Sequence, residues 1–202
     1  MFAPVPKLRV AYDDPAAVAR LSRALAAGFR RLDPVGAREV VVLGIGTDRS
    51  TGDSLGPLVG SKIAERPRGP RVMGTLDQPV HATNLADHLR LLGGWPRPPI
   101  VVAVDACLGQ RDSIGYITVA EGPLRPGAGV HKELPAVGDL HVTGVVNVAG
   151  YMEYMVLQNT RLSLVMRMAD RIAAAIMAAW ESTYALGSPA GSARLAAQEA
   201  SG

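Results

Sequence analysis

The sequence predicts an α/β fold of three layers, α/β/α, with a mostly parallel central sheet between the helices. Continuous apolar runs within the predicted strands at residues 39–45 and 100–104 are typical of strands that are buried on both faces. Stretches with the apolar spacing of helices separate these runs, so strands and helices alternate along the chain. The 202 residues, 48% hydrophobic and 19% charged, suit one domain with a full core.

The first half of the chain alternates between helix and strand. Pro15 directly follows Asp14, which is a signal for the start of a helix. The helix predicted over residues 15–32 has four apolar side chains on one face: Val18, Leu21, Leu25 and Phe29. The elements that follow are a strand at 39–45, a helix at 54–66, a strand at 71–76, a helix at 83–92 and a strand at 100–104.

The second half contains two more predicted strands, at 116–120 and 140–148, and a largely helical stretch at 151–180. The methionines of this stretch are predicted to fill the core: Met152, Met155, Met166 and Met168. The Gly- and Pro-rich segment at 122–138 is predicted to be a long loop, and loops of this length are often functional.

One domain is predicted for residues 1–187. Gly, Ser, Ala and Gln are frequent after it, which predicts a flexible tail at 188–202. Cys107 is the single cysteine and the amino terminus lacks the pattern of a secretory signal, so we expect a cytoplasmic protein. Charged residues interrupt the apolar stretch at 162–180, and it is therefore not expected to cross a membrane.

The charge pattern argues against nucleic acid as a partner. The formal net charge is +3, but the basic residues are scattered, and aromatic residues make up only 4% of the chain. The loop at 44–53 lacks the glycine spacing of nucleotide-binding loops, and Asp53 would repel an anion at the start of the next helix.

Carboxylates follow three of the predicted strands. Asp48 and Asp53 come after the first strand, Asp77 follows the second, and Asp105 directly continues the third. Since ligands of open α/β sheets bind at the carboxyl ends of strands, we predict the functional site there. Two carboxylates close together in a dry site share one proton, and such a pair can activate a water molecule.

Each of these acids also has a purely structural interpretation. Asp53 is placed to cap the helix that follows it, and Asp105 is placed to accept hydrogen bonds from amides of the next turn. Asp77 suits a turn before Pro79. Cys107 lies two residues after Asp105, where a buried, unreactive thiol is a better interpretation than a nucleophile.

Histidines leave a metal site open as an alternative. His81, His131 and His141 are each able to reach the strand ends, and one of them together with Asp53 and Asp105 would supply three ligands. Their spacing does not select one of the three. We predict that Asp48, Asp77 and His81 bind substrate at the same edge of the sheet.

Three motifs, in the same order, resemble those of the germination protease. They are GIG at 44–46 with TGDSLGP at 51–57, the apolar strand that ends in Asp105 and Ala106, and residues 122–134 with PGAGV and KEL. The chain is more similar still to the YyaC-type sporulation proteins, which are described as spore proteases. This similarity covers about residues 40–176 and includes GTDRSTGD at 46–53, GTLD at 74–77 and LQNTR at 157–161.

The resemblance implies the fold of the hydrogenase-maturation and germination proteases, and an endopeptidase that acts in sporulation or germination. It implies Asp53 and Asp105 as the catalytic acids and a peptide or small spore protein as substrate, with no cofactor. The site of action would be the cytoplasm of the forespore or mother cell of a spore-former. An oligomer is compatible with this interpretation.

The resemblance also implies two alternatives. The hydrogenase-maturation proteases have a Glu where this chain has Asp53, and they hold nickel or another divalent metal. By that analogy Asp53, Asp105 and His131 would bind a metal here. The other alternative is a sporulation protein that binds a peptide or protein partner without cleaving it.

Overall fold

A six-stranded sheet forms the centre of the computed structural model, which describes residues 7–126, 134–150 and 152–184. The strands are β1 (Leu8–Ala11), β2 (Val40–Gly44), β3 (Arg71–Met73), β4 (Ile100–Gly109), β5 (Tyr116–Glu121) and β6 (Leu140–Val148). Their order across the sheet is β1-β5-β6-β4-β2-β3. The pairs β2–β3, β2–β4 and β4–β6 are parallel, and β5 is antiparallel to both of its neighbours.

Helices cover both faces of this sheet. They are α1 (Ala17–Leu32), α2 (Leu55–Ala64), α3 (Leu85–Gly93), α4 (Glu153–Gln158) and α5 (Leu162–Tyr184). Helices α1, α2 and α5 bury their apolar faces against one side of the sheet, and α3 packs through Leu85 on the other side, against Leu43 and Ala103. The predicted three-layer α/β/α fold with a mostly parallel sheet is therefore confirmed.

The predicted apolar stripe on the first helix explains how α1 packs. Leu21, Leu25 and Phe29 are almost fully buried. They belong to one cluster with residues of α5, such as Ile172 and Ile176. In the described part of the chain, no helix is long and apolar enough to cross a membrane.

The structure corrects several predicted boundaries. Strand β1 was not predicted, because four residues with one fully buried side chain give almost no periodic signal. Strand β3 ends at Met73, three residues earlier than predicted. The helical stretch at 151–180 is two helices, α4 and α5, and Tyr151 and the tail at 188–202 lie outside the described residues.

Two of the four methionines expected in the core are on the surface. Met168 is fully buried and Met166 packs against the core. Met152 and Met155, at the start of α4 and within it, are 54% and 48% exposed. Composition identifies a methionine as apolar, but the packing partners of a short helix decide whether it is buried.

The chain reverses its direction of travel across the sheet between β2 and β4. From β2 it moves outward to β3, and it then crosses back over β2 to form β4. Such a switch point leaves a crevice at the carboxyl ends of the two diverging strands, where ligands of open α/β sheets bind.

Small residues allow α2 to begin directly above the ends of β2 and β4. A Cβ atom on Gly56 would lie 2.2 Å from the carbonyl oxygen of Ile45 and 2.8 Å from that of Val104. A Cβ atom on Gly44 would lie 2.4 Å from the Gly56 carbonyl oxygen. The first turn of α2 therefore touches the strand backbones with no room for a side chain.

We expect Gly56→Ala to destabilise the protein by about 2–3 kcal/mol, because the added methyl group must displace backbone rather than a flexible side chain. Gly93→Ala is the matched control in α3, where a Cβ atom would meet nothing within 4 Å. Its effect should not exceed about 1 kcal/mol in either direction. Urea unfolding measures both free energies, and equal effects would contradict the close approach.

Candidate active site

Asp105 lies where β2 ends and β4 continues. Gly44 at the end of β2 is opposite Val104, and from Asp105 onward β4 is paired on one side, with β6. The sequence predicted that the strand would end at Asp105, which is wrong, because pairing with β6 extends β4 to Gly109. The Asp105 residue is 7% exposed.

Asp53 is brought to the same place by a loop that closes on itself. It lies in a short 3-10 helix, Gly52–Ser54, immediately before α2. The Thr47 N–H donates to the Asp53 carbonyl oxygen at 3.0 Å. A Cβ atom on Gly46, whose φ is +139°, would lie 1.9 Å from that same oxygen, so the loop closes only with glycine at this position.

The helix-cap interpretation of Asp53 does not hold. Ser54, and not Asp53, occupies the cap position of α2, and no capping hydrogen bond comes from a side chain there. Asp53 is half-buried, and in the described part of the chain its carboxylate does not cap a helix. The carboxylate is therefore able to contact a ligand in the crevice.

Both carboxylates line one cavity of about 360 Å³ at the switch point. That volume falls in the range of small ligand pockets, roughly 300–1,000 Å³. The wall consists of residues from the loop after β2, the end of β4, β6, the segment after β5 and α4. They are Thr47, Ser50, Asp53, Asp105, Ala106, Cys107, Leu108, Leu124, Arg125, Thr143, Ala149, Glu153, Tyr154 and Leu157.

Burial makes both carboxylates hold their protons more tightly than usual. Loss of solvent raises the pKa of Asp53 from 3.8 to about 6. Loss of solvent, together with the nearby charge of Asp53, raises the pKa of Asp105 well above its ordinary value, and the amide of Ala106 opposes this rise. Both shifts have the same direction, and the charge of Asp53 makes Asp105 the acid that holds its proton more strongly.

Cys107 lies on the same wall of the cavity. Burial, and then the charge of Asp105, raise the pKa of its thiol, and a hydrogen bond with Thr143 acts in the opposite direction. A thiol with a raised pKa is a poor nucleophile at neutral pH. The structural interpretation of Cys107 therefore holds.

The residues predicted to bind substrate lie away from the paired acids. Asp48 is exposed on the loop before Asp53, and Asp77 is exposed in a turn closed by Thr75 and Gln78. His81 lines a second cavity, of about 560 Å³, between β3 and α3. Their role in substrate binding stays a prediction.

A metal site is incomplete in the part of the chain that the structure describes. Asp53 and Asp105 would supply two oxygen ligands, but no three His, Cys, Asp or Glu side chains at 7–126, 134–150 and 152–184 are grouped to hold a metal. His131, the predicted third ligand, lies outside the described residues. The His141 Nδ1–H donates to the Gly122 carbonyl oxygen at 2.8 Å.

Helix α4 contributes a wall that sequence analysis missed. Tyr154 and Leu157 face the cavity, and Tyr154 is 64% exposed. Sequence analysis treated these residues only as part of a largely helical stretch at 151–180, without a role at the site. The predicted long loop also reaches the site, since Leu124 and Arg125 line the cavity.

Comparison with known proteins identifies similar chains. The family model described as "Protein of unknown function (DUF1256)" matches residues 9–175, which include Asp53 and Asp105. The "Uncharacterized protein YyaC" of Bacillus subtilis (strain 168) is 50% identical over 168 residues, which cover 83% of this chain and 80% of that protein. The NiFe hydrogenase maturation protease HycI from Thermococcus kodakarensis KOD1 is 21% identical, over 73% of this chain and 98% of that chain, with a TM-score of 0.46.

The raised pKa of Asp53 makes stability depend on pH. Between about pH 4 and pH 6 the unfolded state releases this proton while the folded state keeps it, so stability falls as pH rises and then levels off. We expect Asp53→Asn to stabilise the protein at pH 7 by about 1–3 kcal/mol more than at pH 4. Urea unfolding at both pH values measures the difference.

Asp48→Asn is the matched control, because Asp48 is an exposed carboxylate on the same loop. Its effect on the unfolding free energy should be small and similar at both pH values. If Asp53→Asn behaved like this control, the Asp53 carboxylate would not be desolvated in the folded protein.

Proposed function

This chain belongs to the DUF1256 family, and we propose that it is an endopeptidase in which Asp53 and Asp105 activate a water molecule. The predicted kinship with YyaC is confirmed by the 50% identical relative, and proteolysis is our proposal for this group. The observation that carries it is the pair of carboxylates in one cavity, one half-buried and one buried, with both pKa values raised. Such a pair is the arrangement that separates an acid from a base.

The two acids differ in role because they differ in burial. Asp53, with a pKa of about 6, is ionised at neutral pH and acts as the general base. Asp105, whose pKa is raised well above the ordinary value, keeps its proton and acts as the general acid. The same crevice thus provides a proton acceptor and a proton donor.

Hydrolysis follows from this distribution of protons. The Asp53 carboxylate takes a proton from water while the hydroxyl oxygen bonds to the peptide carbonyl carbon, and Asp105 donates its proton to the carbonyl oxygen. The tetrahedral intermediate then returns that proton to Asp105 as its C–N bond breaks, and Asp53 gives its proton to the leaving nitrogen. The products are a carboxylic acid and an amine, and both acids regain their starting states.

The substrate that we propose is a small acid-soluble spore protein, cleaved in the forespore or mother cell of a spore-former. Support comes from the motifs at 44–57 and 122–134 that resemble the germination protease. The cavity adds to this support, because it is open to solvent past Tyr154 and has an apolar wall at Leu157, which suits a polypeptide chain.

Incubation of the purified protein with a small acid-soluble spore protein should yield defined fragments, detected by mass spectrometry. Asp53→Asn and Asp105→Asn should each lower kcat/KM by at least about 10³-fold, because each keeps the side-chain shape but removes the shared proton. Asp170→Asn is the control, since it removes only the surface ion pair with Lys62. Full activity in both site variants would exclude the acid pair.

Chelators and added nickel separate the acid pair from metal-assisted cleavage. The acid pair predicts the same rate with chelator, and a loss of activity that nickel restores would favour a site that includes His131. A wild-type protein that binds the spore protein but cleaves none under any condition would instead be a partner-binding relative of a protease.

The pH profile provides a further test of the two roles. We expect kcat/KM to rise with pH through an acid limb near pH 6, because Asp53 must lose its proton to act as base. Above this limb activity should fall again where Asp105 becomes ionised. A rate that is highest well below pH 5 would contradict the assignment of Asp53 as the base.

A further inference from the structure

The second half of β4 has one edge without a strand beside it. Strand β2 stops at Gly44, opposite Val104, whereas β6 pairs with β4 as far as Gly109. In the described part of the chain, residues 105–109 therefore have a strand neighbour on the β6 side and none on the other side.

Hydrogen bonds show which backbone groups face the open edge. The Ile45 N–H donates to the Val104 carbonyl oxygen at 2.8 Å, so the backbone groups of Val104 face β2. In a strand these groups point alternately to the two sides, and those of Ala106 and Leu108 therefore point to the same side as Val104. Beyond the end of β2 this side is the open edge.

Hydrogen bonds on the β6 side of β4 agree with this alternation. The Asp139 N–H donates to the Val101 carbonyl oxygen at 2.8 Å, and the Ala149 N–H donates to the Gly109 carbonyl oxygen at 2.7 Å. Both acceptors are odd-numbered residues of β4, and both donors lie next to β6 or at its end. The shift in pairing beyond Cys107 skips a residue in β6, not in β4, so the alternation along β4 is kept.

The open edge and the two acids share one cavity. Ala106 and Leu108 line it together with Asp53 and Asp105. An extended chain that paired with this edge would pass the carboxylates within the same crevice. Its alternate side chains would point to the two faces of the sheet, one of which has Tyr154 and Leu157 of α4.

We propose that the substrate binds as an added strand along the open edge of β4, through main-chain hydrogen bonds with the Ala106 carbonyl oxygen and with the N–H and carbonyl groups of Leu108. The Ala106 N–H already donates to the Asp105 carboxylate. This inference rests on the proposed function and specifies its substrate class: an extended, unfolded segment whose backbone is recognised directly. Strand addition is a common mode of peptide recognition, because an unpaired edge already presents the required donors and acceptors. A folded helix has its backbone groups paired internally and would not fit.

The test uses overlapping synthetic peptides that together cover a small acid-soluble spore protein. Binding to the Asp53→Asn protein is measured by fluorescence anisotropy, so that no turnover is needed. The tightest peptide is then made with an N-methyl group on one residue at a time. Methylation removes one backbone donor, and at residues whose N–H faces β4 it should weaken binding about tenfold.

Strand addition predicts that this loss recurs at every second residue, with near-normal binding at the residues between. In amide hydrogen exchange, the Leu108 N–H should become protected when the peptide is added. The Val104 amide is the control, since β2 already pairs with Val104 and its exchange should not change. No binding by any peptide, a uniform methylation pattern, or unchanged exchange at Leu108 would overturn the inference.

The outcomes also separate this inference from the proposed activity. Alternating methyl sensitivity with no cleavage by the wild-type protein supports strand addition and contradicts proteolysis. Cleavage with a uniform methylation pattern supports proteolysis and contradicts strand addition.

Discussion

The close contact between the first turn of α2 and the ends of β2 and β4 is the constraint on which the site depends. Gly44 and Gly56 leave no room for a Cβ atom between the helix and the strand backbones. Because the helix starts so close to the sheet, Asp53, two residues before its first residue, is held at the end of β2. Asp105 follows Val104 on the neighbouring strand, so two acids distant in sequence meet in one cavity.

The burial of two carboxylates at the cavity lowers the stability of the fold. A buried carboxylate loses hydration, and its ionised form is therefore disfavoured in the folded protein. Here Asp53 and Asp105 both experience this loss, and the charge of the first adds to the cost for the second. Acids kept in such an environment are a common sign of a functional site, which supports the proposed division into base and acid.

The three layers of the fold and the positions of the two acids are easier to predict from the sequence than the elements that surround the acids. Residues 40–44 and 100–104 are continuous apolar runs, so their burial and the carboxylates after them are readable from local pattern alone. The extension of β4 beyond Asp105 depends on pairing with β6, and the exposure of Tyr154 depends on which other parts of the chain pack against α4. Both are tertiary effects, and no local pattern encodes them.

The outer edges of the sheet bear on intermolecular pairing between strands of separate copies of this protein. The edge strands β1 and β3 are only four and three residues long, and each has an arginine stacked on a ring, Arg9 on Tyr116 and Arg71 on Trp95. Short edges with cationic side chains are poor templates for intermolecular sheet growth. The unpaired stretch of β4 instead belongs to a central strand, and its residues Ala106 and Leu108 line the same cavity as the two acids. Short outer edges and an unpaired inner strand edge are thus compatible in one molecule.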